Sequence, residues 1–258
     1  MGSGNSALET TAASQTPVGQ ESFLPLSLLG RRLALFARRD AAADMRPLVL
    51  KERTFGQDTP IWASRENQRH IGVLEEGWAY RFTIMQKGQR HIAEFYGPGS
   101  IVNRARLSAF DEQDDILFKA GTRVSYLHKD KLQSLLQEIP GLETAVERHE
   151  LARVLRASQR IRALISLRAT DRLISLLLDL ANEYQAAGHS EEWSPLPFVQ
   201  SEIADFVGLS TVHVSRTFRD LVEGGVIKRS LASFRFLNRR ETEAALGYRS
   251  YYNAPGSS

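Results

Sequence analysis

The chain has 258 residues, a formal net charge of +3 and no cysteine. This length allows a sizeable core and more than one domain. The absence of cysteine excludes disulfides, thiolate zinc sites and cysteine-ligated iron–sulfur clusters. Because the positive excess is small, a preference for a polyanionic partner depends on where the arginines lie rather than on their total. The sequence contains no uninterrupted run of about eighteen apolar residues, so we expect no membrane span.

The first residues, 1–22, are mainly serine, threonine, alanine, glycine and glutamine. Such a segment buries too little apolar surface to offset the entropy of ordering, which predicts a disordered tail. It also lacks the basic and apolar regions of a secretory signal. Residues 23–39 then carry leucine and phenylalanine at helical spacing and predict a helix at the start of the first domain.

Short alternating or apolar segments separated by glycines fill residues 48–128. Five of them are typical of β-strands: 49–55, 69–77, 78–85, 89–96 and 123–129. Gly77 and Gly88 are hairpin signals, and the Gly-Pro-Gly sequence at 97–99 forms a corner. Several short strands at this spacing predict a sandwich or an antiparallel roll, which we assign to residues 23–137.

A short helix is predicted at 131–137 and a long one at 142–167. One side of the long helix carries apolar side chains with one serine among them: Leu151, Val154, Leu155, Ser158, Ile161 and Ile165. Its other positions include five arginines: Arg148, Arg153, Arg156, Arg160 and Arg162. A long helix with one apolar seam, placed between two domains, predicts a dimerisation helix over 138–167. The alternative is that the seam packs against the chain's own roll.

Two short amphipathic helices joined by a tight turn are predicted at 200–219. Gly208 is expected to end the first, because a residue without a side chain tolerates the left-handed backbone of a C-cap. Ser210 is a favourable N-cap for the second. The apolar positions are predicted to face inward: Ile203, Phe206, Val207, Val214, Phe218, Leu221 and Val222.

The opposite face of the second helix presents short polar groups and two guanidiniums: Thr211, Val212, His213, Ser215, Arg216 and Arg219. A helix with an inert back and a donor-rich front is typical of a helix-turn-helix that enters a DNA major groove. Residues 225–237 alternate like a β-hairpin, with Lys228, Arg229 and Arg235 predicted on its outer side. This is the wing of a winged helix, with cations placed for phosphate contact.

The predicted divisions are a tail at 1–22, a roll at 23–137, a dimerisation helix at 138–167, a winged helix-turn-helix at 168–240 and a C-terminal tail at 241–258. The winged domain is expected to begin with an amphipathic helix at 170–185. A short helix is expected in the C-terminal tail, whose tyrosines have no assigned position.

Three motifs carry a resemblance to a known family: the Gly-Pro-Gly corner, the long helix that precedes RATDR at 168–172, and SEIADFVGLSTVHVSRTF at 201–218. Over residues 23–237 the chain resembles the CRP/FNR family of bacterial transcription regulators. The resemblance implies an α+β fold with an N-terminal antiparallel, cyclic-nucleotide-binding-like β-roll, a long dimerisation helix and a C-terminal winged helix-turn-helix.

The resemblance also implies a cytoplasmic homodimer that binds palindromic double-stranded DNA, with half-sites one helical turn, about 34 Å, apart. RNA polymerase is the further partner implied. Contact with the polymerase beside the promoter would give activation, and occlusion of the promoter would give repression; the sequence does not separate the two.

The roll departs from the family's nucleotide-binding members, which hold the cyclic phosphate with a Gly-Glu pair and an Arg-Ser pair. Asn103-Arg104 stands at the first pair and Asp114-Asp115 near the second, where two carboxylates would repel a phosphate. We therefore predict a regulator that acts without cyclic AMP. The alternative is a ligand-gated regulator that senses another small anion or nucleotide in a pocket formed by Asn103, Arg104 and Arg106.

We predict no metal and no other cofactor. The chain's candidate ligands His70, His91, His128 and His149 form no pair at a recognised spacing. An enzyme on a cupin-like roll would need clustered histidine and glutamate, or a nucleophile with a nearby base. Because the sequence contains neither pattern, we expect no catalytic residues and no enzymatic activity.

The recognition helix also differs in part from the family pattern. Many members carry Glu-x-x-Ser-Arg, whereas this chain has Val212, Ser215 and Arg216. Arg216 is expected to read a guanine, and Val212 can contact a thymine methyl group but cannot accept from cytosine. Thr211 and His213 could add polar contacts. The expected phosphate contacts are Gln200, Ser201, Arg219, Lys228 and Arg229.

Overall fold

A computed structural model describes residues 27–36, 48–61, 70–102, 115–139, 141–190 and 192–252. The predicted N-terminal tail lies outside the described residues. So do Asn103, Arg104 and Arg106, the predicted effector residues.

The first domain is an antiparallel roll of two four-stranded sheets. Its strands are β1 (Val49–Thr54), β2 (Thr59–Ile61), β3 (His70–Glu76), β4 (Ala79–Ile84), β5 (Arg90–Tyr96), β6 (Ile101–Val102), β7 (Asp115–Phe118) and β8 (Arg123–His128). One sheet has the order β1-β8-β3-β6 and the other β2-β7-β4-β5. Between them Phe55 stacks on Phe118 with ring centroids 4.5 Å apart. The predicted roll is confirmed.

The five segments predicted as strands form β1, β3, β4, β5 and β8. The sequence pattern does not predict β2, β6 and β7, because two to four residues are too few to show an alternation. These short strands exist because neighbouring strands supply their hydrogen-bonding partners.

Three helices accompany the roll: α1 (Ser27–Ala34), α2 (Lys129–Glu138) and α3 (Leu142–Ser166). Leu29 and Leu33 of α1 are buried against Leu132 of α2 and Val146 of α3. The long helix α3 has the predicted bounds to within one residue. No helix among the described residues is both long enough and apolar enough to cross a membrane.

The second domain contains α4 (Ala169–Ala186), β9 (Ser194–Pro195), α5 (Gln200–Val207), α6 (Thr211–Glu223), β10 (Ile227–Arg229), β11 (Ser233–Phe236) and α7 (Arg239–Leu246). The strands form one small sheet in the order β10-β11-β9. The hairpin of β10 and β11 is the predicted wing. Its partner β9 has only two residues, too few to show a strand pattern in the sequence.

The two domains share a continuous apolar core. Trp78, Tyr80 and Phe95 of the roll pack with Phe198 and Phe206 of the second domain. The ring centroids of Phe95 and Phe206 are 5.7 Å apart, and those of Tyr80 and Phe206 are 6.2 Å apart. Helix α5 therefore rests on strands β4 and β5 of the roll.

Helix α3 turns three of its arginines, not its apolar seam, toward the roll. Arg153 donates two hydrogen bonds to Glu94 at 2.9 and 2.7 Å. Arg156 donates to the carbonyl of Phe95 at 3.2 Å, and Arg160 donates to the carbonyl of Ala93 at 2.7 Å. The apolar seam is exposed instead, with Ile165 reaching 77 %. The alternative that this seam packs on the chain's own roll is wrong.

Candidate DNA-binding interface

The turn between α5 and α6 has the predicted capping residues. Gly208 adopts the left-handed conformation at φ 64°, and its N–H donates to the carbonyl of Ala204. A side chain at this position would be strained by that backbone angle. Ser210 Oγ accepts a hydrogen bond of 3.2 Å from the N–H of His213 at the start of α6. Both predicted caps are confirmed.

The back of α6 anchors it in the domain. Val214, Phe218 and Leu221 are buried to 2 % exposure or less. Val222, which the sequence places in the same stripe, is 44 % exposed, so that prediction is wrong. The reason is the helical repeat, since the residue after Leu221 points about 100° further around the axis. Thr217 lies at the other edge of the stripe and is buried, with Oγ1 donating to the carbonyl of His213 at 2.9 Å.

The front of α6 is open to solvent. Its exposed residues are Thr211, Val212, His213, Ser215, Arg216 and Arg219. Arg216 and Arg219 form no ion pair with any residue that the structure describes. Two guanidiniums, two hydroxyls, an imidazole and a valine are thus presented together on a rigid helix whose back is fixed.

The wing places its three cations differently from one another. Lys228 is exposed on β10. Arg229 lies over the ring of Phe218, 4.0 Å from its centroid, and burial lowers the pKa of this arginine. Arg235 pairs with Glu192 and lies over the ring of Trp193. Arg235 lies opposite Lys228 on the outer face of the hairpin, as predicted. The prediction is wrong for Arg229, which lies opposite the buried Phe234, because its planar guanidinium stacks favourably on the ring of Phe218.

The start of α5 is tied to the roll by Glu202. Its carboxylate accepts hydrogen bonds from the backbone N–H of Val199 at 2.9 Å, from Tyr80 at 3.0 Å and from Lys119 at 2.9 Å. Lys119 also pairs with Asp58 at 2.5 Å. Sequence reasoning missed this contact because its partners lie far apart in the chain. The predicted phosphate contacts Gln200 and Ser201 form the first turn of α5, the former half-buried and the latter exposed.

Comparison with known proteins agrees with this geometry. The family model of the Crp-like helix-turn-helix domain matches residues 171–241. The transcriptional activator protein FnrA of Stutzerimonas stutzeri is 26% identical over 216 residues, which cover 82% of this chain and 87% of that protein. The transcriptional activator protein anr of Pseudomonas aeruginosa is 25% identical over 183 residues, which cover 70% and 72%. These matches identify a transcription regulator with a Crp-like helix-turn-helix domain, similar to regulators of the CRP/FNR family.

Two solved structures share the fold of this chain. FixK2 from Bradyrhizobium japonicum has a TM-score of 0.65 and 17% identity, and the match covers 75% of this chain and 96% of that one. TTHB099, a CRP-family transcriptional regulator from Thermus thermophilus, has a TM-score of 0.59 and 18% identity, with 78% and 98% covered. The predicted α+β fold is confirmed. So is the prediction of a transcription regulator rather than an enzyme.

Of the residues compared above with the family's phosphate-binding pairs (Asn103, Arg104, Asp114 and Asp115), the structure describes only Asp115. Among the described residues, no three histidines, aspartates or glutamates are grouped as they would be around a metal ion. A cysteine-ligated iron–sulfur cluster does not fit this chain, which has no cysteine to bind one.

Proposed function

We propose that this CRP/FNR regulator acts as a homodimer on a palindromic promoter site, with one α6 in each of two successive major grooves. The observation that carries the proposal is the open, donor-rich front of α6, held by a back that is fully buried. A helix supported in this way loses little conformational freedom on binding, so its contacts contribute to affinity and selectivity.

We assign base contacts to the first half of α6. Arg216 has the length and the paired N–H groups to bind guanine O6 and N7. Val212 is 62 % exposed and offers a methyl surface to thymine. Ser215, Thr211 and His213 supply the remaining polar contacts.

The phosphate contacts belong to Gln200, Ser201, Arg219 and Lys228. They fix the register of the helix on the duplex and make affinity dependent on salt. Arg229, the fifth predicted contact, would have to leave the ring of Phe218 to reach a phosphate. Its proposed role is to hold the wing against α6.

The exposed seam of α3 is the proposed dimer interface. Leu151, Val154, Ile161 and Ile165 are each more than half exposed, and Leu155 is 38 % exposed. Contiguous apolar surface of this kind on a long helix is costly in water, and a second copy of the same helix would cover it. A two-fold axis along α3 presents two recognition helices at one helical turn of DNA, about 34 Å.

The dimer is proposed to act without cyclic AMP, because Asn103-Arg104 and Asp114-Asp115 replace the family's phosphate-binding pairs. The implied location is the bacterial cytoplasm, where the promoter is found, and RNA polymerase is the proposed second partner. The relatives named as activators support activation as the proposed output.

Selection of bound sequences from a random DNA pool, followed by titration with base-substituted probes, tests the base assignments. Replacing Arg216→Ala should cost about 1–3 kcal/mol on the selected site and much less on a probe that lacks the guanine. The matched variant Arg219→Ala should weaken all probes alike and reduce the salt slope by about one. If Arg216→Ala weakens every probe equally, Arg216 binds phosphate and the assignment is wrong.

A further inference from the structure

One buried carboxylate, that of Glu183 on α4, lies where four parts of the chain meet. Glu183 Oε2 accepts a hydrogen bond from Arg32 Nη2 of α1 at 2.5 Å. Its Oε1 accepts from Arg156 Nη1 of α3 and from the hydroxyl of Tyr252, near the C-terminus. Arg32 also donates to the backbone carbonyl of Glu183 at 2.9 Å. Glu183 itself is 0 % exposed.

The two arginines connect this carboxylate to the roll. Arg32 Nε donates to the carbonyl of Pro98 at 2.6 Å, and Arg156 Nη2 donates to the carbonyl of Phe95 at 3.2 Å. The corner approaches so closely that a Cβ at Gly97 would lie 3.2 Å from Glu183 Cβ and 3.0 Å from Trp78. The Gly-Pro-Gly corner is therefore one of the places where the DNA-binding domain touches the roll through a charged group, in addition to the Glu202–Lys119 pair.

The C-terminal segment completes the cluster. The ring of Tyr252 lies beneath the Arg32 guanidinium, 5.5 Å from it, and meets the edge of Phe36 at 6.1 Å. One turn earlier along α4, Asp179 Oδ1 accepts a hydrogen bond of 2.6 Å from the hydroxyl of Tyr248. The chain thus leaves the wing through α7 and returns to bind α4, α1 and α3 together.

Directional contacts of this kind differ in effect from the apolar core beside them. Burying apolar surface stabilises many relative orientations almost equally, because it depends on area and not on angle. Buried charges contribute little net stability, but they are strongly penalised when their partners move out of hydrogen-bonding geometry. A cluster that joins α4 to the roll should therefore restrict the angle between the domains more than it raises their stability.

We propose that Glu183 and Tyr252 are positioning residues, which fix the DNA-binding domain on the roll at the angle needed for two half-sites. This inference rests on the proposed homodimer, since the angle matters only when two recognition helices must bind at once. If the angle between the domains is less restricted, the effective concentration of the second recognition helix at its half-site falls. Binding to one isolated half-site does not depend on the angle and should be unaffected.

The test compares three full-length or nearly full-length variants of the intact dimer. Tyr252→Phe removes only the hydroxyl, removal of residues 248–258 takes away both tyrosine contacts, and removal of residues 253–258 is the matched control. Each is titrated with a probe of two half-sites and with a probe of one. We expect the 248–258 deletion to lose about tenfold in affinity for the double site, Tyr252→Phe about threefold, and the control neither. Half-site affinity should stay within about twofold for all three.

A second readout measures the angle directly. Because the chain has no cysteine, Thr54→Cys on the roll and Glu223→Cys on α6 give one spin-labelled pair per chain. When labelled chains are diluted with unlabelled ones, the measured distance is the one between the two labels of the same chain. We expect one narrow distance distribution in the parent and the control, and a broader one in the other two variants.

Unchanged double-site affinity together with an unchanged distance distribution in the 248–258 deletion overturns the proposal, and so does an increase in double-site affinity. If that deletion also loses half-site binding, its DNA-binding domain is damaged. The double-site affinity and the distance distribution of Tyr252→Phe then decide instead. If the parent protein binds neither probe, the proposed function fails. The spin-label distances then decide separately whether Glu183 and Tyr252 fix the domains.

Discussion

The two long faces of α3 differ in a way opposite to that of an ordinary amphipathic helix. The face against the roll carries Arg153, Arg156 and Arg160, whereas the face toward solvent carries leucine, valine and isoleucine. Burial alone lowers the pKa of a guanidinium, yet Glu94 raises the pKa of Arg153 well above its usual value. Burial likewise acts to raise the pKa of Glu94, but Arg153 brings it below the usual value.

On α3, the arginines that the fold buries are those for which it supplies partners itself. Glu94 and Glu183 provide carboxylates, and the backbone of β5 provides carbonyl oxygens, so these three guanidiniums of α3 are hydrogen-bonded inside the fold. The described residues leave the apolar face of α3 largely uncovered, since Ile161 and Ile165 remain 58 % and 77 % exposed. The apolar face is thus the one that we propose to contact a second copy of the chain.

The largest effect is expected from a charge on the outer face. Ile161→Glu would place two carboxylates close to the axis of the proposed dimer, so the dimer should dissociate. Affinity for a two-half-site probe should then fall by about 10²–10⁴-fold, because the second binding event is no longer intramolecular. Sedimentation and DNA titration measure the two effects. Leu50→Glu, on an exposed leucine of the roll, is the control and should change neither. If the Ile161→Glu variant remains dimeric, the seam is not the dimer interface.

A smaller effect, a loss of folding stability, is expected from a substitution on the face of α3 that lies against the roll. Arg156→Met keeps the length of the side chain but leaves Glu183 buried with fewer donors. Removing one partner of a buried pair typically costs about 3 kcal/mol in the free energy of unfolding. Urea denaturation measures it, with Arg162→Met, an exposed α3 arginine, as the control. Equal stabilities of the two variants would show that the arginines on the inner face are not held by their partners.

The dependence of stability on pH should follow from the buried groups beside the inner face. Burial raises the pKa of Asp179 from 3.8 to about 6, so the folded chain holds a proton that the unfolded chain has lost. The free energy of unfolding therefore falls as pH rises through that window. Asp179→Asn should remove this fall, on the order of 1–3 kcal/mol between pH 4 and 7.

His149 should make the free energy of unfolding change with pH in the opposite direction. Burial lowers its pKa from 6.5 to about 4, so stability is lost as pH falls through that window. His149→Gln should remove this loss, which is measured by the same urea titrations at several pH values. Two variants with the same pH profile would show that neither group stays buried in the folded chain.

The smallest effect is expected from salt. Raising sodium chloride from about 0.1 to 0.5 M should change the free energy of unfolding by less than about 1 kcal/mol, because buried ion pairs are screened little. DNA affinity should fall steeply over the same range, since phosphate contacts release counterions. A large salt-induced loss of stability would mean that the arginines of α3 facing the roll are exposed to solvent.

Local patterns in the sequence were sufficient for much of the fold and for the outline of the site. The caps at Gly208 and Ser210, the length of α3 and the strands of the roll depend on neighbours within a few residues. The open front of α6 follows from the helical repeat in the same way, and the match to the Crp-like domain falls on this part of the chain.

Only the tertiary structure decided which face of α3 lies against the roll, where the C-terminal tyrosines bind, and that Arg229 and Arg235 stack on aromatic rings. Each of these depends on partners remote in the chain: Arg32 and Glu183, for example, are separated by 151 positions. Periodicity shows that a helix has two unlike faces, but it contains no information about which distant groups will meet them. An arginine is solvated in the unfolded chain and is buried only where carboxylates and carbonyls from other elements converge on it.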